Sequence, residues 1–217
     1  MKPPVPQNEL ERLRALQLFR VLDSGSEAAF DNLARLASAI CETPISMISL
    51  IDENRQWFKS RVGVSATQTA REVAFCAHAI NQSEVFVVGD ASTDSRFAAN
   101  PLVTSDPSIR FYAGAPLVVG DGLVLGTLCV IDSRPRQLTP AQLDALQVLR
   151  DAVVSQLELR RALADFRMVE QLLPLCAWCR NIRRPDGSWS SLYDYVSRTG
   201  QVTHGLCPDC GTKMEMA

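Results

Sequence analysis

Four cysteines near the C-terminus are spaced for chemistry. Cys176 and Cys179 form one CxxC pair and Cys207 and Cys210 a second, with 27 residues between them and His204 just ahead of the second pair. Each CxxC lets two thiolates converge from one tight turn, and two such turns complete a tetrahedral shell for Zn²⁺. Five donors compete for four places. The set Cys176, Cys179, Cys207 and Cys210 is preferred because both pairs are knuckle-like and thiolates dominate structural zinc. His204 then donates to a sulfur or to backbone from just outside the shell, and the competing set puts it in place of one cysteine. With four protein ligands no water is left to activate, so the site is structural or at most redox-responsive. An iron–sulfur cluster takes the same four thiolates, and a metal-free dithiol switch is a further reading.

Something must position these groups, and about 40 residues cannot build an adequate core unaided. Metal binding, worth on the order of 10–16 kcal/mol in small zinc modules, supplies the deficit. Pro185-Asp186-Gly187 marks a hairpin turn, a short helix follows, and Trp189, Leu192, Tyr193, Tyr195 and Val196 are the apolar filling or, alternatively, a binding face.

The remaining composition is ordinary. With 217 residues, 47% hydrophobic content and a formal net charge of -2, the chain can bury one full core plus a small appendage. Lys and Arg are dispersed, which argues against nucleic acid and against an anionic membrane surface. The opening MKPPVPQ has no apolar run and no stretch of about 18 apolar residues occurs, so neither a signal peptide nor a spanning helix is expected. Seven cysteines, an odd number without a secretory signal, read as reduced thiols in the cytoplasm.

Upstream, residues 1–7 are expected to be disordered. Asn8 and Glu11 suggest a capping box opening a helix to about Leu22, and Ser24 with Glu27 suggests a second, carrying Phe30, Leu33, Leu36, Ala37 and Ile40 at helical spacing and ending at Pro44. Ile45–Ile51, a turn at 52–54, and Gln56–Val62 read as a hairpin. Val85–Val88 is a strand, Asp94–Asn100 one or two helical turns, and Phe111–Val119 with Leu123–Ile131 a second hairpin. Thr139, Pro140 and Gln142 then cap a long helix running to about Leu173. Such a helix, about 50 Å at 1.5 Å per residue, must project, hinge or pair with a second chain beyond its first half.

This order of elements, with the words SLIDENRQWFKSRVG, FCAHAI, VVGDASTDSRFAANPLV, IRFYAGAPLV and GTLCVID followed by LTP, resembles a GAF domain of bacterial signalling type. The resemblance implies an α+β fold: a GAF/PAS-like central antiparallel sheet of about six strands, with the first, second and long terminal helices on one face and a ligand pocket on the other. The tail from Leu173 resembles a short cysteine-rich module with a CxxC…HGxCPxC pattern that follows sensor domains. The boundaries expected are 8–160 for the GAF domain, 161–173 for a helical linker and 174–217 for the zinc-binding module.

Pocket candidates on these words are Phe75, Cys76, His78, Asp90, Asp94, Arg96, Phe111 and Tyr112. Cys76 and His78 sit where bilin-binding relatives attach a chromophore, but Ala77 separates them, which favours a buried thiol and a hydrogen-bonded imidazole. Asp90, Asp94 and Arg96 either recognise a polar ligand or cap a short helix and pair with each other, and Phe111 and Tyr112 either line the cavity or are plain core. Free methionine sulfoxide reductases use this fold with cysteines. Cys41, Cys76 and Cys129 match none of that enzyme's sequence words.

The expected function is therefore a non-catalytic cytoplasmic sensor or adaptor. A GAF pocket for an unidentified small ligand couples through a helix to a structural zinc module, in a homodimer that signals to a downstream protein. The alternatives are a redox or metal sensor using the cysteine cluster, and a GAF-type sulfoxide reductase.

Overall fold

The computed structural model describes residues 2–120, 122–170, 174–184, 186–191, 194 and 203–205, with backbone alone for 167–170 and 203–205. The chain divides into two compact units, Met1–Arg161 and Ala162–Ala217.

In the first unit, α2 (Ala28–Cys41) buries Phe30, Ala34, Ala37 and Cys41, a single helical stripe. The helix before it, α1 (Glu9–Leu18), is shorter than its apolar spacing suggests. The backbone turns left-handed at Arg20 (φ 47°) and Asp23 (φ 57°), which a right-handed helix cannot tolerate. That turn tucks Phe19 and Val21 into the core and leaves Leu10 and Leu18 exposed. Two expected caps are also absent. Asn8 makes no side-chain cap to α1, and the Ser24 hydroxyl donates back to the Val21 carbonyl (2.6 Å), so α2 starts only after Glu27.

Six strands follow the two helices: β1 (Ile45–Ile51), β2 (Arg55–Val62), β3 (Gln68–Ala70), β4 (Phe86–Val88), β5 (Phe111–Val119) and β6 (Leu123–Asp132). They form one sheet in the order β3-β2-β1-β6-β5-β4, antiparallel at every junction. Both central hairpins fall where the β-branched runs and turn residues place them. Gly120 (φ 46°) and Gly122 (φ 85°) take positive φ at the β5–β6 turn. The edge strand β3 has no apolar alternation to announce it and exists through its pairing with Arg55–Trp57.

The inner strands are apolar on both sides because both sides are covered. Ile48, Leu50, Phe111, Ala113, Ala115, Leu117, Leu128 and Val130 pack with α1, α2 and α5 (Pro140–Glu170). Met47, Ile51, Tyr112, Cys129 and Ile131 face the other way, with α3 (Phe75–Ala79) and α4 (Pro101–Thr104). Full burial of each large apolar side chain contributes about 1.5–3 kcal/mol.

The segment Asp94–Asn100 forms turns rather than a helix, and α4 begins after it. Asn100 Oδ1 accepts from the Leu102 N–H (2.9 Å) with Pro101 in the first turn. At the start of α5 the capping box is reciprocal: Thr139 N–H donates to Gln142 Oε1 (3.0 Å) and Gln142 N–H to Thr139 Oγ1 (3.2 Å). With 31 residues, α5 is about 46 Å long. Leu146, Val153 and Leu157 are buried along it, whereas Val148, Leu159, Leu163 and Phe166 are exposed.

The second unit holds a small sheet of β7 (Pro174–Cys176), β8 (Ile182–Arg183), β9 (Trp189–Ser190) and β10 (Thr203–Gly205), in the order β10-β7-β8-β9. The hairpin expected near 185–187 joins β8 to β9, with Gly187 at φ 86° and Asp186 Oδ1 accepting from the Ser188 N–H (2.9 Å) and hydroxyl (2.6 Å). Trp189 packs against Cys176, while Leu192, Tyr193, Tyr195 and Val196 lie outside the described residues.

Candidate functional site

Between the α3/α4 side of the sheet and the segments crossing it lies a cavity of about 440 Å³. Strand alternation supplies its floor. Met47 of β1, Gln56 and Phe58 of β2, Tyr112 of β5 and Ile131 of β6 all project to this side. Phe75 and Cys76 of α3, with Leu102 of α4, enclose it from above.

Its electrostatics are one-sided. Asp106 is the one acidic residue among the described lining residues, none of which is Lys, Arg or His. Two polar atoms in the lining have no hydrogen-bond partner: Gln56 Oε1, on a side chain 3% exposed, and Thr69 Oγ1. A buried polar atom left unpaired costs about 1–3 kcal/mol, and the Thr69 hydroxyl can donate as well as accept.

Behind Cys76 is a buried polar cluster. Tyr112 Oη donates to Cys76 Sγ (3.3 Å), the Sγ atoms of Cys76 and Cys129 are 3.8 Å apart, and the Ser49 and Thr127 hydroxyls are 3.2 Å apart. Burial alone would raise the Cys76 thiol. Hydrogen bonds from Cys129, Ser49, Thr127 and Tyr112 outweigh it and lower Cys76 below the ordinary thiol range. Cys129 is pushed up by its bond to Cys76 and by burial, and Tyr112 is pushed up by burial and the neighbouring sulfur charge.

Of the eight residues singled out from sequence, Phe75, Cys76 and Tyr112 line the cavity. Phe75 stacks on Phe97 (4.1 Å between centroids) and on Tyr112 (5.3 Å). The other five lie elsewhere. Phe111 precedes Tyr112 on a strand and so faces the helical layer, where it is fully buried. His78 is buried edge-on against Phe97 (4.8 Å). Arg96 pairs with Asp94 (2.5 Å) and lies over Phe86 (4.8 Å), and its hydrogen bonds hold the Asp94 carboxyl below its usual range. Asp90 turns outward and accepts from the Ser92 N–H (2.9 Å) and hydroxyl (2.6 Å). Local pairing, one of the two readings their sequence offers, engages all three. Gln56 and Thr69 were not singled out from the sequence. An amide at position 56, where the β2 register calls for an apolar side chain like Phe58, is a faint signal for the first, and nothing marks the second.

A larger concavity of about 650 Å³ lies between β2 and the start of α2, and several of the polar groups around it are already paired. Lys59 Nζ donates to Glu27 Oε1 (2.6 Å), Ser24 Oγ (2.9 Å) and the Gly25 carbonyl (2.7 Å), and Ser60 donates to Asp31 (2.7 Å). The smaller cavity, with unmet acceptors, is the better candidate.

In the second unit, Cys176 is buried at the end of β7 and Cys179 is exposed in the turn after it, its N–H 3.5 Å from Cys176 Sγ. β10 runs parallel to β7 with Gly205 opposite Cys176, which brings the backbone two residues before Cys207 beside the first pair. Cys207 and Cys210 lie outside the described residues, as does the His204 side chain. Among the described residues no three His, Cys, Asp or Glu side chains converge on one point.

The six-stranded antiparallel sheet, the helical layer on one side and the cavity on the other define a sensor module. The chain belongs to the GAF domain family, whose model matches residues 26–157. A cyclic di-GMP phosphodiesterase of Pseudomonas aeruginosa is 45% identical over 134 residues, 62% of this chain and 23% of that protein. The chain thus spans under a quarter of that relative, and the match falls on its GAF region. Among solved structures, the GAF domain of an Acinetobacter phosphoenolpyruvate-protein phosphotransferase aligns with 18% identity, 74% and 99% coverage of this chain and that one, and a TM-score of 0.52. A free methionine-R-sulfoxide reductase from Neisseria meningitidis aligns with 17% identity, 75% and 97% coverage and a TM-score of 0.51. At such identities the likeness speaks to the fold alone.

One expectation is overturned here. Composition and motifs suggested a chain that is no enzyme, but the relative from Pseudomonas aeruginosa is named a phosphodiesterase, so an enzymatic role is not excluded. No helix among the described residues is long and apolar enough to cross a membrane.

Proposed function

We propose that this chain is a signalling sensor whose GAF cavity takes a small, uncharged, largely apolar ligand carrying a hydrogen-bond donor. One observation carries the reading: the cavity offers an unpartnered acceptor at Gln56 and an unpartnered hydroxyl at Thr69, with no cationic residue among its described lining. A phosphate group buried there would lack a counter-charge, and burying an unpaired charge costs far more than such a site returns. Cyclic nucleotides therefore fit this cavity poorly, whatever reaction a longer protein performs. The volume of about 440 Å³ lies within the usual range for small-molecule sites. The identity to the phosphodiesterase across the GAF region supports a sensory task in the same kind of pathway.

Thermal unfolding with indole, which is uncharged and has one N–H, against cyclic GMP tests this directly. Indole raises Tm and Gln56→Leu removes most of the rise. A Tm rise with cyclic GMP and none with indole would count against the reading.

The tail is read as a zinc module held by Cys176, Cys179, Cys207 and Cys210, with His204 beside them. Its support is the buried Cys176, the Cys179 N–H bond to it, and the β7–β10 register. Bound zinc would supply folding energy to a unit too small to hold itself together. Exposed Val148, Leu159, Leu163 and Phe166 along α5 support a homodimer through that helix, from which a ligand-dependent shift passes to a downstream signalling protein in the cytoplasm.

A further inference from the structure

We propose that Cys76 and Cys129 form a peroxide-responsive dithiol that closes to a disulfide inside the GAF core. The inference requires the cavity only as a path for the oxidant and stands whether or not a ligand binds there.

The two sulfurs come from elements brought together by the fold, α3 and β6, and sit 3.8 Å apart with no disulfide between them. A disulfide needs about 2.05 Å, so the gap closes by rotation about two side-chain bonds and a small shift of α3. That helix has five residues, all of them buried. The roles are unequal. Cys76 lines the cavity, although only 1% exposed, and Cys129 stands behind it, at 0%, between Met47 and Gly114 in the ladder. Tyr112 Oη points at the Cys76 sulfur and favours its thiolate, the nucleophilic form. The third thiol of this unit, Cys41, lies in the core on the opposite side of the sheet and is pushed up to about 11 by burial.

The chemistry balances with a hydroperoxide as oxidant. The Cys76 thiolate attacks the terminal peroxide oxygen. The S–O bond forms, the O–O bond breaks, and the departing oxygen takes a proton to leave as water or an alcohol. Cys129 sulfur then attacks the Cys76 sulfenic acid. The S–S bond forms, the S–O bond breaks, and the hydroxide leaves with the Cys129 proton as a second water. With hydrogen peroxide, two thiols give one disulfide and two waters. In a reducing compartment such a bond is transient, as befits a sensor.

The test uses the full chain, fully reduced, exposed to hydrogen peroxide, blocked with N-ethylmaleimide under denaturing conditions and mapped by peptide mass spectrometry. The expected product joins the Cys76 and Cys129 peptides with the loss of two hydrogens and reverts with phosphine. In Cys129→Ser, dimedone traps a sulfenic acid at Cys76, and in Cys76→Ser, Cys129 remains fully alkylated. Mapping each peptide separately keeps the tail cysteines out of the reading. The proposal is overturned if both core thiols stay alkylated while other cysteines oxidise, or if Cys76 proceeds to sulfinic acid in the wild-type chain without linking to Cys129. A dimedone adduct on Cys129 in Cys76→Ser would overturn the assigned roles.

Discussion

The hydroxyl of Tyr112 occupies the space a side chain on Gly114 would need: a Cβ there would stand 2.1 Å from Oη and 2.7 Å from Cζ. The missing side chain, opposite Cys129 in the β5–β6 ladder, is what lets the ring fold over the strand and reach Cys76. Because Tyr112 is fully buried between Phe75 and Phe86, it has nowhere to retreat. Gly114→Ala should destabilise by about 1–3 kcal/mol, the usual cost of overpacking a filled core. Urea unfolding checks it, and an unchanged midpoint would show that the ring has more room than its contacts imply.

Glu9 gives the fold a specific acid sensitivity. Burial alone would raise its carboxyl, but Arg12 (2.8 and 2.7 Å) and Arg71 (2.5 Å) hold it at about 2. A carboxyl lowered on folding stabilises fully above its unfolded value, near 4.5, and loses that contribution as pH falls through that value towards 2. Arg12, 1% exposed and also donating to the Ile51 carbonyl (2.6 Å), ties α1 to β1 through this pair. Glu9→Gln is expected to lose about 1–3 kcal/mol at pH 7, with the difference from wild type vanishing near pH 2. Parallel unfolding curves at both pH values would contradict it.

A bulge in β2 decides a third outcome. The β1–β2 register steps from Ile48–Ser60 to Ser49–Phe58, leaving Lys59 unmatched, so both Lys59 and Ser60 reach α2. Glu27 pairs there with the fully buried Lys59 ammonium and with Arg160 of α5. Removing the anion from a buried cation is far worse than replacing the cation with an apolar chain. Glu27→Ala should therefore cost about 3 kcal/mol, and Lys59→Met under about 1.5 kcal/mol. Equal losses in calorimetry would remove this account of the corner.

The tail offers a fourth. Metal analysis of the purified chain should give one zinc per chain and no visible absorbance, with Cys176→Ser lowering the zinc content. Stripping zinc with a mercurial should expose tail amides to hydrogen exchange while the sheet of residues 45–132 stays protected. Visible bands would mean iron–sulfur instead.

How much of this the residues disclosed varied with the kind of signal. Ile45–Ile51 and Phe111–Val119 announced themselves because strands buried on both sides need unbroken apolar runs, and Thr139 with Gln142 announced α5 because a capping box is local chemistry. The same double-sided burial hid which side each residue faces. Phe111 and Tyr112 read alike as aromatics, and only the pleat sends one to the helices and the other to the cavity. Asp94–Asn100 looked helical, yet Asn100 spends its side chain capping the helix after it. Gln56 and Thr69 carried no motif, since an unmet acceptor becomes visible only when its surroundings are known.

Methyl NMR of the full chain titrated with indole tests the central claim most directly. The account predicts saturable shifts at the Met47 and Ile131 methyls, which face the cavity, with much smaller shifts at Ile48 and Leu128 on the helical side of the same strands. Shifts confined to the helical side, or at Met47 with cyclic GMP but not with indole, would contradict it.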